Sequence, residues 1–203
     1  MLRVGIPKGR LLDAAVEAMG KAGYPLQIKP RNYHPRCEGD IQAFLLKPRS
    51  IPQMVALELL DAGFCGRDLV LESGYDDRLE AALDLGLNRV RLVAAASDPS
   101  ILEAPPRRPL VIATEFPTLA SRWATGRCLA HLCLHTWGST EAWVPTYADI
   151  AVDVVETGDT MAANGLTVLE EIMTSSTVMV VRSDPNEAAK HHPLLARLAE
   201  VLR

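Results

Sequence analysis

The stretch Leu2-Arg-Val-Gly-Ile6-Pro-Lys-Gly-Arg10-Leu-Leu-Asp-Ala-Ala15-Val-Glu-Ala-Met-Gly20-Lys-Ala22 holds a strand, a turn and a helix in direct succession. Leu2–Ile6 is a short apolar run, Pro7-Lys8-Gly9-Arg10 is a turn, and Leu11–Ala22 places apolar residues at helical spacing before Gly23 stops it. The same unit recurs downstream. Ile41–Leu46 reads as a strand, then Pro48-Arg49 as a turn, then Ile51–Leu60 as a helix opened by Pro52. Gly63–Gly66 closes a brief strand before a helix over Arg67–Ser73, and Arg89–Ala96 is strand-like.

A second series follows the proline-rich loop Ala104–Pro109. It has strands at Leu110–Ala113, Leu129–His135, Ile150–Val155 and Thr177–Val181, a helix over Pro117–Thr125, and a final helix over Asn186–Leu202. Repeated strand–turn–helix units predict an α/β fold with parallel pairing. Two series predict two lobes with a cleft between them: residues 1–95 plus 175–203 as lobe I, and residues 96–174 as lobe II.

Composition narrows the class. With 48% hydrophobic and 23% charged residues the chain is an ordinary globule rather than a disordered one. No apolar run reaches the roughly 18 residues that span a bilayer, and the segment before Lys8 is too short for a signal peptide. Neither a membrane nor a nucleic-acid partner is expected. Cysteines at 37, 65, 128 and 133 form no disulfide framework, so a reducing cytoplasm is the expected location. Net charge is -4, yet residues 1–50 hold nine Lys/Arg against four acids. A cationic first quarter on an acidic protein points to a local anion site.

The segment richest in chemistry is Asp153-Val-Val-Glu156-Thr157-Gly158-Asp159-Thr160. A Thr-Gly-x-Thr turn opening a helix gathers backbone N–H groups and hydroxyls around one point, as a phosphate cradle does. Asp153 and Glu156, just upstream, suit the vicinal hydroxyls of a ribose, so the constellation reads as a ribose-5-phosphate site. Asp159 opposes a phosphate and is expected to point outward. Lys8 and Arg10 follow the first strand, where α/β folds line their ligand crevice, and suit a diphosphate. Lys47-Pro48-Arg49 ends the strand Ile41–Leu46, Arg31 and Arg36 flank its upstream loop, and Gly66-Arg67-Asp68 follows another strand. In Gly138-Ser139-Thr140-Glu141, Ser139 or Thr140 reads as a helix cap with Glu141 in the capping pattern. Cys128, His131, Cys133 and His135 lie close together but match no zinc spacing, so no metal ligand is assigned to the chain. There is no GxxxxGK[ST], GxGxxG, HExxH or GxSxG motif.

These segments, in this order, resemble the ATP phosphoribosyltransferase family over nearly the whole chain. The resemblance is carried by Pro7-Lys-Gly-Arg-Leu11, Lys47-Pro-Arg-Ser-Ile-Pro52, Gly66-Arg-Asp-Leu69, Ala113-Thr-Glu-Phe-Pro117, Gly138-Ser-Thr-Glu141 and Asp153–Thr160. It implies the two-lobed fold of periplasmic binding proteins with the site in the cleft. The implied reaction joins ATP and 5-phosphoribosyl 1-diphosphate into N1-(5-phosphoribosyl)-ATP and diphosphate, the first step of histidine biosynthesis. By residue, the resemblance implies that Arg10 and Arg31 act on the diphosphate. It likewise implies that Lys8, Arg49, Asp68, Glu141, Asp153, Glu156, Thr157, Gly158, Asp159 and Thr160 bind substrate. It implies Mg2+ held mainly through the substrate diphosphate. The length is that of the family's short form, which implies a hetero-oligomer with a regulatory subunit similar to histidyl-tRNA synthetase. The chain departs from the family pattern where Pro145-Thr-Tyr-Ala-Asp149 and Leu57–Ala62 lack the usual glycine, and where Ser50 replaces an Asp. A non-catalytic small-anion-binding module and a phosphoribosyltransferase with another base acceptor remain the alternatives.

Overall fold

The computed structural model describes residues 1–202, which divide into two compact units, residues 1–89 with 176–202 and residues 90–175. The chain enters the first unit with β1 (Leu2–Pro7), α1 (Leu12–Lys21), β2 (Leu26–Gln27), β3 (Arg36–Cys37) and β4 (Ile41–Leu46). It continues through α2 (Ile51–Ala56), β5 (Ala62–Gly66), α3 (Arg67–Glu72) and β6 (Leu79–Asp84). The second unit holds β7 (Val90–Ala96), β8 (Leu110–Thr114), α4 (Pro117–Gly126), β9 (His131–His135), β10 (Ile150–Val155), α5 (Asp159–Ala163) and β11 (Thr167–Ser175). The chain then returns to the first unit as β12 (Thr177–Arg182), α6 (Ala188–His191) and α7 (Pro193–Val201). Among the described residues no helix is long and apolar enough to cross a membrane.

Each unit is built on a five-stranded sheet, ordered β4-β1-β5-β12-β6 in the first and β11-β7-β10-β8-β9 in the second. The expected parallel pairing holds for only part of each sheet. β1 runs parallel to β4 and β5, but β12 runs antiparallel to β5 and β6. β10 runs parallel to β8, and β8 to β9, but β7 runs antiparallel to β10 and β11. The antiparallel strands are those on which the chain crosses from one unit to the other.

The first sheet is apolar on both faces, as helix-covered sheets are. Along β12, Met179 and Val181 join the core of Val4, Ile6, Met19 and Leu194, while Val178 and Val180 join that of Ile51, Val55 and Leu60. This alternation is the period of two of a strand buried on both sides. In the second unit Val93, Ala95, Ala113, Ala151, Val155 and Met161 share one core.

Four boundaries differ from the sequence reading. Val90–Ala96 pairs with β10 and β11, so the second unit begins at residue 90 rather than 96. The helix expected over Ile51–Leu60 stops at Ala56, because Glu58 takes a left-handed conformation (φ 61°) and ends it. The final helix is two helices, because Pro193 holds His192 extended (ψ 139°) and the His192 side chain accepts the Leu194 N–H. β9 starts at His131 rather than Leu129, after a left-handed Cys128 (φ 57°).

Candidate functional site

In the second unit β8, β9 and β10 run parallel and in register, so their carboxyl ends lie on one edge of the sheet. Glu115, Thr136–Glu141 and Glu156–Thr160 leave the sheet there, and Asp153 lies near the end of β10, where α/β folds expose their ligand residues. A pocket of about 340 Å³ at that edge is lined by Glu141, by residues 153–160 and by Met161. It thus gathers Glu141, Asp153, Glu156, Thr157, Gly158, Asp159 and Thr160 of the expected set.

The loop at this pocket is built on Gly158, whose backbone is left-handed (φ 96°) and which directly precedes α5. A Cβ there would meet nothing within 4 Å, so the glycine serves its backbone conformation, not a crowded neighbour in the chain. The N–H groups that open α5 have no carbonyl one turn back to bond. The Thr157 hydroxyl donates to Asp159 (2.8 Å), and the Asp159 N–H approaches the same oxygen at 3.4 Å. Asp159 therefore turns back across the loop instead of pointing away from it. Its carboxylate holds the Thr157 hydroxyl that a phosphate oxygen would otherwise engage.

Asp153 is the electrostatic centre of the pocket. Burial pushes its carboxyl above the ordinary carboxylate range, and the negative charges of Glu115 and Glu141 push the same way. Two donors pull against them: the Thr140 hydroxyl and the Val154 N–H, the latter at 2.7 Å from Oδ1. Thr140 also lies 2.9 Å, oxygen to oxygen, from the hydroxyl of Thr136, and both threonines are buried (0% and 1% exposed). The capping role expected of Ser139 or Thr140 is therefore not what the structure shows. Ser139 adopts a left-handed conformation (φ 50°) with no side-chain cap, and the Thr140 hydroxyl turns to Asp153. Thr136 and Thr140 are the residues that sequence reasoning missed. A threonine at the head of a helical turn reads as a cap, and nothing in the spacing shows which carboxylate lies behind it.

In the first unit, β4, β1 and β5 are parallel, so Lys8, Arg49 and Asp68 also follow strands whose carboxyl ends share one edge. The Lys8 N–H bonds Leu46 O at 2.8 Å, and the Lys8 ammonium lies 4.3 Å from the centre of the Tyr33 ring. Lys8 and Arg31 line one pocket of about 510 Å³ with Leu12, Ile28, Tyr33 and Leu45 among its walls. Arg31 is exposed and left-handed (φ 60°), a conformation that is costly for any residue with a Cβ. Arg10, Arg49 and Asp68 do not line that pocket. Asp68 is buried at the start of α3, folded over Gly66. A Cβ on Gly66 would come within 2.2 Å of Asp68 Oδ1, so any side chain there would force the Asp68 carboxylate to move.

The cysteine–histidine segment is engaged elsewhere. His131 Nδ1 faces Leu129 O and its Nε2 faces the Ser121 hydroxyl, each at 2.9 Å. His135 stacks on Trp137 with centroids 4.2 Å apart, and Cys133 Sγ approaches Pro117 O at 3.7 Å. Among the described residues no group of three His, Cys, Asp or Glu is arranged to hold a metal ion.

Comparison with known proteins places this geometry. The family model for ATP phosphoribosyltransferase (HisG) matches residues 47–202. An ATP phosphoribosyltransferase of Koribacter versatilis is 34% identical over 186 residues, which cover 88% of this chain and 64% of that protein. The chain thus spans somewhat under two thirds of that relative's length. The solved ATP phosphoribosyl transferase (HisG:HisZ) complex of Thermotoga maritima contains a chain that superposes with a TM-score of 0.84 at 28% identity. That match covers 100% of this chain and 98% of the other. The GluR0 ligand-binding core, solved with L-glutamate, shares the fold at a TM-score of 0.59 and 10% identity, covering 99% of this chain and 91% of that one. A histidine kinase sensor domain similar to periplasmic binding proteins does so at 0.55 and 13%, covering 100% and 88%.

Proposed function

The chain belongs to the ATP phosphoribosyltransferase family, and on that premise we propose that it transfers the phosphoribosyl group of 5-phosphoribosyl 1-diphosphate to N1 of ATP, the first step of histidine biosynthesis. The observation that carries this reading is the second-unit pocket, in which Asp153 and Glu156 sit beside the Thr157–Thr160 loop. In the reaction the adenine N1 forms a bond to the anomeric carbon as the bond from that carbon to the diphosphate oxygen breaks. Positive charge develops on the ribose and negative charge on the departing diphosphate. Asp153 and Glu156 orient the ribose hydroxyls and place negative charge near the anomeric carbon, while backbone N–H groups of the loop hold the 5-phosphate. Lys8, Arg10, Arg31 and Arg49 are the proposed cations for the diphosphate, which stabilise it as it leaves. Glu141 and Asp68 complete the proposed binding set.

Magnesium is proposed on the substrate rather than on the chain. The described residues offer no cage of three ligating side chains, and an ion held by diphosphate oxygens and water needs none. Bound in that way it would neutralise leaving-group charge. The proposed setting is the cytoplasm, to which four free cysteines are suited. The proposed form is the short one, acting in a hetero-oligomer with a histidyl-tRNA-synthetase-like regulatory subunit. The near-complete match to a chain of the Thermotoga maritima complex supports that form.

The test is a product assay on purified protein with phosphoribosyl diphosphate and either ATP or another base. Diphosphate release and a new N1-substituted adenine absorbance with ATP alone are expected. Release with a different base and not with ATP would overturn the choice of acceptor. Binding of phosphoribosyl diphosphate without any release would make the chain a binding module.

A further inference from the structure

We propose that Thr140 and Thr136 are positioning residues that hold the Asp153 carboxylate at the wall of the second-unit pocket through a chain of two buried hydroxyls. The inference rests on the phosphoribosyl-transfer reading above and deepens it. Asp153 lines the pocket, whereas neither threonine does, so the threonines act only through Asp153. Thr136 directly follows β9, Thr140 opens the 3-10 turn Thr140–Trp143, and Asp153 lies on β10, so the chain of hydroxyls links three separate segments.

The direction of the chain follows from counting protons. A hydroxyl has one proton to donate, and an ionised carboxylate only accepts. Thr140 therefore donates to Asp153, and its oxygen accepts from Thr136 across 2.9 Å. The Thr136 N–H bonds Thr114 O at 2.9 Å, which fixes the first hydroxyl to the end of β8. Both threonines are shut off from solvent, so water cannot replace either hydroxyl. The groups facing Asp153 are otherwise unfavourable to its charge: Glu115 after β8 and Glu141 on the 3-10 turn, with Glu156 and Asp159 along the same pocket. The Val154 N–H is the second donor. The hydroxyl chain favours the ionised form and fixes the carboxylate's orientation toward a ribose hydroxyl. Without it, burial and the two glutamates favour the protonated, acceptor-poor form.

The experiment compares T140V, T140S and T136V with the wild type. For T140V, kcat/KM for phosphoribosyl diphosphate at neutral pH is expected to fall about tenfold, the scale of one hydrogen bond to a charged group. The acidic limb of the pH profile should move to higher pH, and the KM for ATP should change little. T140S keeps the hydroxyl and should restore the profile, while T136V should shift it in the same direction but less. A carbon-13 NMR titration, with the Asp153 carboxyl assigned by its loss in D153N, should give a higher midpoint in T140V and T136V. A T140V protein with wild-type profile, KM and midpoint would overturn the proposal. So would a T140S protein as impaired as T140V, which would make the side-chain packing, not the hydroxyl, responsible. If T140V does not fold, T136V carries the same test, because it leaves the Thr140–Asp153 bond in place. A wild-type protein inactive with ATP would overturn the functional reading instead, and the carboxyl midpoint would still decide the hydroxyl chain.

Discussion

Replacing Arg31 by glycine is expected to move stability and turnover in opposite directions. Arg31 is exposed and holds a left-handed backbone at φ 60°. That conformation costs a residue with a Cβ about 1–2 kcal/mol, and glycine removes the cost. Glycine also frees the unfolded chain, which takes back about 0.4–1 kcal/mol. The net expected gain is about 0–1.6 kcal/mol, centred on roughly 0.8 kcal/mol, a rise in melting temperature of roughly 2–3 °C for a chain of this size. Turnover should fall ten- to a thousandfold if the guanidinium stabilises the leaving diphosphate, the range for losing one such donor.

Glu58 supplies the calibration. It is also exposed and left-handed (φ 61°), follows α2, and lies outside both pockets. E58G should raise the melting temperature by a similar increment and leave turnover alone, while R31A should lose turnover and gain no stability. The assays are differential scanning calorimetry and initial rates at saturating substrates. An R31G protein that melts lower than wild type and turns over normally would refute the reasoning, because Arg31 would then be a structural residue.

At Gly158 the same backbone logic acts with the opposite sign. G158A must adopt φ 96° with a Cβ, so it should lose about 1 kcal/mol of stability, and calorimetric titration should show at least tenfold weaker binding of phosphoribosyl diphosphate. Asp153 keeps its proton to higher pH when folded than when unfolded. Its contribution to stability therefore falls as pH rises from the ordinary carboxylate value to the raised folded one. D153N should match wild-type stability at acid pH, exceed it near neutrality and lose activity, which melting curves across pH and a rate assay would check. Asp149 is the converse, held below the usual range by its bidentate pair with Arg108 at 2.6 and 2.8 Å. D149N should lose stability near neutrality, converge with wild type as pH falls, and keep its turnover.

Much of both sheets was legible because apolar runs such as Ile41–Leu46 in the first and Ile150–Val155 in the second end in turn residues and match β4 and β10 end to end. What the sequence hid has physical causes. β6 is an edge strand whose Leu-Glu-Ala-Ala-Leu-Asp composition favours helix, and pairing with β12 overrides that preference. β11 carries two register shifts, between Val168 and Glu170 and between Glu171 and Met173, which break the alternation that marks a strand. In the site, the Asp153–Thr160 segment was readable because its residues are contiguous. The Thr136–Thr140–Asp153 contact was not, since it joins residues that only the parallel register of β8, β9 and β10 brings together.

Two of the left-handed residues lie beside the charged groups of the two pockets. Ser139 at φ 50° directly precedes Thr140 in the turn whose buried hydroxyl reaches Asp153. Arg31, also left-handed, lines a pocket with Lys8 beneath Tyr33. Strained residues persist where surrounding structure over-determines them, and they concentrate where a side chain must be aimed. Glu58 and Cys128 share the conformation but follow helices, where a left-handed residue simply ends the turn. What separates the two kinds is what lies next to the strained residue. Ser139 and Arg31 adjoin groups that carry or steer charge at a pocket, so replacing the Arg31 side chain should cost chemistry, whereas relieving the strain at Glu58 should cost none.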